Sequence, residues 1–174
     1  MDKQKISIEL TEKHRQFTHY ISSISGDAFL QNEPGKWSAG QQLEHIYLSV
    51  KPVRLAFSFP KFLLQLIWGK SNRTGRNYDD LVNKYLDKLA KGGKAPAPFV
   101  PKRVGLERKE KLIQVLTDEI ITLNKKTARF SESELDTYVL PHPLLGKLTL
   151  REMLLFCIYH VQHHQHAIEK SIAA

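Results

Sequence analysis

Apolar residues recur along most of this chain at helical rather than strand spacing. Over residues 6–30, Ile6, Leu10, Phe17, Ile21, Ile24 and Ala28 follow one another at three, four or seven positions, which predicts an amphipathic first helix. Pro34-Gly35 ends that pattern. Ser38-Ala39-Gly40-Gln41 then has capping-box spacing and opens a second helix, which runs through His45 toward Pro52. Pro52 has no N–H to give Leu48, so it is expected to bend or end the helix. Residues 57–68 are apolar but broken by Pro60, and predict a short helix over the mouth of a bundle.

Residues 69–105 form a long connection, with Gly69, Gly75, Gly92-Gly93 and Ala95-Pro96-Ala97-Pro98, and room for a short helix at 78–90. A connection of that length in a small domain is either functional or a crossover between elements that are not antiparallel neighbours. A third long helix is predicted over 106–130, with Ile113, Leu116, Ile120 and Leu123 as its stripe. Lys125, Lys126 and Arg129 lie in its last turn, where the helix dipole favours cations. The fourth begins at the capping box Thr149-Leu150-Arg151-Glu152 and runs to about 172. No segment shows convincing period-two alternation. The expected fold is all-α, a bundle of four long helices in one domain over residues 1–174.

Composition changes this picture little. With 41% apolar and 25% charged residues the chain reads as an ordinary globule, excluding disorder and collagen-like order. A lone cysteine, Cys157, cannot form an internal disulfide. The polar start Met1-Asp2-Lys3-Gln4-Lys5 shows no signal peptide, and the longest apolar runs are far shorter than a membrane span. A soluble, cytoplasmic protein without a membrane partner is therefore expected. Charge is distributed unevenly: residues 51–111 hold 15 Lys/Arg against 5 Asp/Glu, within a chain of net charge +8. No long run of like charge, basic–aromatic repeat or nucleic-acid-binding motif accompanies that surplus, so it reads as a solvated, lysine-rich connection and disfavours nucleic acid as a partner.

Candidate chemistry lies in the histidines. His160 and His164 stand about 40° apart on a helical wheel, one above the other, on a stripe begun by Met153, Phe156 and Cys157. Two imidazoles at i and i+4 on an inward face make a two-ligand clamp for a divalent metal. Val161 stands where the zinc-protease motif carries its glutamate, so that general base is missing. His163 falls on the flank and His166 points outward. A third ligand has candidates in His14, His19, His45 and His142, with Asp27 or Glu44 as carboxylate substitutes; periodicity alone leaves that choice open.

The segment Gly35-Lys36-Trp37-Ser38-Ala39-Gly40-Gln41-Gln42-Leu43-Glu44-His45-Ile46 resembles the first motif of the DinB/YfiT-like family. Gly146-Lys147-Leu148-Thr149-Leu150-Arg151-Glu152-Met153, continuing to His160-Val161-Gln162-His163-His164, resembles the second. The proline-bearing stretch 96–101 resembles the family's long connection. The resemblance implies an up-down-down-up four-helix bundle with a metal triad of His45, His160 and His164, and zinc or nickel as the ion. Trp37 is expected to pack at the helix start. Some relatives are thiol-dependent transferases using bacillithiol, mycothiol or glutathione, others are classed with hydrolases or isomerases, and many have no known activity. The expected function is thus a metal-dependent enzyme, hydrolase-like or thiol-transferring, acting on a small molecule. The alternative is a non-catalytic metal- or ligand-binding stress-response protein. A homodimer is compatible with either, and no catalytic residue beyond the triad is assigned. His163 stands as a candidate proton shuttle and Cys157 as a buried apolar thiol.

Overall fold

In a computed structural model, which describes residues 1–32 and 34–173, helix α1 (Lys3–Ser23) is capped by Asp2, whose carboxylate accepts the Lys5 N–H at 2.7 Å. The helix predicted over 6–30 is in fact two. Ile24 is extended, and Ser25 caps a new short helix, α2 (Gly26–Leu30). The break is held by Lys109, whose ammonium donates to the carbonyls of Ser22 and Ile24 at the end of α1. Helix α3 (Ala39–Ser58) starts at the expected capping box, with both reciprocal Ser38–Gln41 bonds formed. Pro52 does not end it. Val53, Ala56 and Phe57 beyond the proline are buried, and Arg54 forms a fork with Glu119, so packing outweighs the one missing backbone bond.

Helix α5 (Tyr78–Ala90) falls where the pattern places it, whereas of the segment 57–68 only α4 (Lys61–Trp68) is the short helix, Phe57 and Ser58 being the end of α3. Helix α6 (Lys109–Thr127) is shorter than predicted, because residues 106–108 form a 3-10 turn. Its buried stripe is Leu112, Leu116, Ile120 and Leu123, with Ile113 only half-buried at its edge. A short helix, α7 (Glu132–Thr137), follows a capping box at Ser131 and Glu134. The expectation of no strand is overturned: β1 (Val139–His142) and β2 (Gly146–Thr149) form an antiparallel hairpin, Val139 opposite Thr149 and His142 opposite Gly146. Each strand is too short for alternation to stand out, Pro141 interrupts the first, and the turn closes at Gly146 with φ of 77°. Helix α8 (Leu150–Ile172) then leaves the hairpin directly through the predicted capping box.

Both α1 and α3 pack against α6 and α8, around a core that includes Phe17, Ile21, Leu43, Ile46, Leu116 and Leu154. The start of α8 meets the start of α1, where Arg151 donates to the Met1 carbonyl, whereas Asn124 near the end of α6 donates to Ser7 and Thr11 of α1. At the other end of α6, Arg108 pairs with Glu44 near the start of α3 at 2.7 Å. The fold is therefore all-α in its long elements, with one small hairpin. Among the described residues no helix is long and apolar enough to cross a membrane.

The basic surplus of residues 51–111 is partly cancelled in space. Arg54, Lys61, Arg73, Arg76 and Arg108 pair with Glu119, Glu134, Glu152 and Glu44, all of which lie outside the stretch. Glu152 is the most buried of these acids. It accepts a two-pronged bond from Arg73 at 2.7 Å on each oxygen, the Arg76 N–H at 2.8 Å and the Thr149 N–H at 2.8 Å. Burial pushes its carboxyl up, but the Arg73 guanidinium and the backbone donors outweigh this and hold it below the ordinary value. One side chain thus caps α8 and ties down the first part of the long connection. Replacing it, Glu152→Ala, leaves two guanidinium groups and a helix start without their acceptor. A loss of about 3 kcal/mol or more in urea unfolding is expected, against a smaller loss for Arg73→Ala.

His14 lies on the inner face of α1, 3% exposed, with its Nδ1–H donating to the Leu10 carbonyl at 2.8 Å. Burial lowers its pKa to about 4 from 6.5. The folded state therefore keeps it neutral while the unfolded chain takes up a proton below pH 6.5. Its contribution is complete above that value and is lost as pH falls toward 4, by about 1.4 kcal/mol per unit. Equilibrium unfolding at pH 7 and pH 5 checks this: the acid-induced loss is expected to be about 2 kcal/mol smaller in His14→Leu than in the parent protein.

Candidate metal centre

The capping box at Ser38 fixes where α3 begins, and His45 sits two turns inside, facing the middle of α8. His160 and His164, one turn apart on α8, face back. Their Nε2 atoms converge: His45 to His160 is 3.2 Å and His164 to His160 is 3.0 Å. The three rings are 5%, 5% and 8% exposed. Among the described residues these three form the grouping of ligand-type atoms close enough to share one ion. Of the candidates for a third partner, the fold brings His45 to the pair and leaves the others out. His19 and Asp27 are exposed. His14 and His142 line the adjoining cavity outside the grouping. Glu44 turns to Arg108, and its Oε2 is buried without a partner.

The outer nitrogens of the rings settle their tautomers. His45 Nδ1 lies 2.7 Å from the Phe99 carbonyl, which only accepts, so this nitrogen carries the proton. His164 Nδ1 donates in the same way to Gln42 Oε1. Both Nε2 atoms therefore present lone pairs, and both present them to His160 Nε2. Lone pairs so directed need a positive centre between them, either a proton on His160 or a shared cation. Ligand nitrogens at about 2.0–2.1 Å from a tetrahedral ion would stand about 3.3 Å apart, near the separations seen. The donor set fits a divalent ion bound by imidazole, and the partners behind the rings are those that orient metal-bound histidines.

Burial keeps all three rings neutral. It lowers the pKa of His45, and it lowers those of His160 and His164 much further, helped by the neighbouring imidazoles. Trp37 does more than pack at the helix start: its ring lies 4.8 Å from His45 and 6.3 Å from His164. Phe156 stacks on His160 at 4.7 Å. Next to the triad opens a cavity of about 450 Å³, lined by the triad itself and mostly by apolar side chains, Val50, Phe59, Leu140 and Met153 among them. Cys157 is in its wall, and burial pushes that thiol up to about 12, which keeps it protonated. His163 also borders the cavity, half-buried with its ring 5.2 Å from His164, and His166 is exposed as expected.

Gln42 and the Phe99 carbonyl were not legible as site residues. Gln42 did carry a signal, since it lies three positions before His45 and so on the same face of α3. Phe99 carried none: its carbonyl reaches His45 because the proline-rich run 95–98 ends in a 3-10 turn, Ala97–Phe99, packed on α3.

No curated protein and no solved structure matches the chain. The model of one family, described as the DinB superfamily, matches residues 9–168, a span that includes the three histidines and the partners behind them. The chain belongs to the DinB superfamily.

Proposed function

We propose that this protein binds a divalent metal ion, zinc or nickel, through Nε2 of His45, His160 and His164, and uses it in a hydrolase-like or thiol-transferring reaction on a small molecule held in the adjoining cavity. The observation that carries this reading is the convergence of three neutral, buried imidazoles, with Nε2 of His45 and of His164 at 3.2 and 3.0 Å from that of His160, all three ligand atoms within 4.8 Å of one another, and two of the outer nitrogens already engaged. An ion bound there supplies Lewis acidity, able to acidify water or a thiol or to polarise a substrate oxygen. The chain's own groups do the rest. The Phe99 carbonyl and Gln42 hold the ring orientations, Trp37 and Phe156 shield the triad, and the apolar cavity excludes bulk water from the reactants.

An up-down-down-up order for α1, α3, α6 and α8 is part of the same reading. It is supported by the start-to-start contacts of α1 with α8 and of α3 with α6, and by the start-to-end contact of α1 with α6. The second reading, a non-catalytic metal- or ligand-binding protein, is favoured by one feature: among the described cavity-lining residues there is no carboxylate to serve as a general base.

Metal analysis of tag-free protein is expected to give about one equivalent of divalent ion, and none in the triple His45→Ala/His160→Ala/His164→Ala variant. Equal metal content in the two ends the proposal. Gln42→Leu, which keeps all three ligands, is expected to weaken metal binding about 10- to 100-fold in a competitive chelator titration. Cobalt substitution separates the two readings. A change in the visible spectrum on adding azide marks an open coordination position and supports the enzyme, whereas an unchanged spectrum supports the binding protein.

A further inference from the structure

Among the described residues of the cavity wall, His142 is the histidine whose ring nitrogen accepts from backbone donors. It ends β1, and its Nδ1 accepts the backbone N–H of Leu144 and of Leu145, each at 3.2 Å. A nitrogen accepting two N–H groups cannot itself carry the proton, so the proton of the neutral ring is on Nε2. Burial lowers this imidazole to about 4, in agreement with a ring that stays neutral. Among the described residues no acceptor meets that Nε2–H. The ring borders the cavity and stands edge-on to Phe156 at 4.3 Å, the same ring that stacks on His160. A fixed hydrogen-bond donor is therefore built one aromatic ring away from the triad.

The rest of the cavity limits what that donor can meet. None of the described lining residues is Lys, Arg, Asp or Glu, although the chain carries a net charge of +8. Away from the triad, a carboxylate or phosphate would lose its water and gain no counter-charge from the lining, at a cost of several kcal/mol, so an anionic group finds a favourable place only against an ion held by the triad. An uncharged molecule with a hydrocarbon or aromatic body loses nothing comparable and buries its apolar surface favourably.

We propose that His142 is the substrate-positioning donor of this cavity, its Nε2–H binding an acceptor oxygen of an uncharged, largely hydrocarbon or aromatic carbonyl compound. The proposal deepens the preceding one by naming a substrate class, and it leaves a carboxylate of any thiol cosubstrate no place beside His142, only against the ion of the triad. Tyr85, whose ring stands edge-to-face with Phe156 at 5.2 Å, is one competing donor of the lining.

Two measurements test it. In histidine-labelled protein, long-range proton–nitrogen correlation at pH 7 is expected to show His142 neutral with its proton on Nε2. A proton on Nδ1, or a cation, overturns the proposal without any substitution. Binding of 2-acetylnaphthalene, 2-isopropylnaphthalene and 2-naphthoate is then measured by fluorescence titration, with the protein as purified and after metal loading. The ketone is expected to bind about three- to tenfold more tightly than the hydrocarbon, and in metal-free protein the carboxylate most weakly. That preference should vanish in His142→Phe, persist in part in His142→Gln and persist fully in Tyr85→Phe. Equal ketone preference in the parent and His142→Phe proteins, or its loss in Tyr85→Phe instead, overturns it. Comparison at matched metal content separates the two proposals. A His142-dependent preference in protein that takes up no metal sinks the metal reading alone, and metal uptake without that preference sinks this one alone.

Discussion

Two lone pairs aimed at a third ring nitrogen are the constraint on which the site rests. His45 and His164 come from different helices, and neither would hold its Nε2 toward His160 unprotonated without an acceptor behind it. In water an imidazole exchanges tautomers freely; here the Phe99 carbonyl and Gln42 remove that freedom, and burial removes the alternative of protonation. Those partners depend in turn on distant features. Phe99 is carried by the long connection, whose earlier part is fastened through Arg73 and Arg76 to Glu152, the residue that also caps α8. The start of α8, the path of the connection and the tautomer of His45 are thus parts of one arrangement.

This dependence explains which parts could be read from the chain. Capping boxes at Ser38 and Thr149 are local, four residues long and mechanistically specific, so the starts of α3 and α8 were legible without any tertiary knowledge. So was the pairing of His160 with His164, which needs only helical geometry. The choice of His45 over His14, His19 and His142 was not legible from spacing, because it depends on which face of α3 meets α8; only a resemblance between motifs supplied it. The break at Ile24 escaped for a similar reason: it is held by Lys109, 85 positions away. Pro52 misled in the opposite direction, since a local rule was overruled by burial of Val53, Ala56 and Phe57. The hairpin was hidden by its brevity and by Pro141.

Electrostatics divide the molecule into two regimes. Outside, carboxylates from elsewhere in the chain balance much of the basic stretch, so a run that looks like a patch in sequence is partly a set of tertiary ties. Inside, the cavity beside the triad carries imidazoles, a tyrosine, a protonated thiol and hydrocarbon, with no formal charge among its described lining residues. A cation held by three neutral ligands would keep its full charge in such surroundings, where low polarity strengthens its action on whatever lies next to it. A lining with carboxylates would partly cancel that charge and draw in water.

The cavity also shows how backbone, rather than side-chain identity, assigns roles to one residue type. His45 and His142 border the same space, and both have Nδ1 engaged by main chain. At His45 the main-chain partner is a carbonyl, so Nδ1 keeps its proton and Nε2 is left as a base suited to a cation. At His142 the partners are two N–H groups, so Nδ1 gives up its proton and Nε2 becomes an acid suited to a substrate oxygen. Each outcome follows from the local fold, a 3-10 turn presenting a C=O in one case and a hairpin turn presenting N–H groups in the other. The same side chain then offers a lone pair at one end of the cavity and a proton at another, and neither offer requires a charged residue to sustain it.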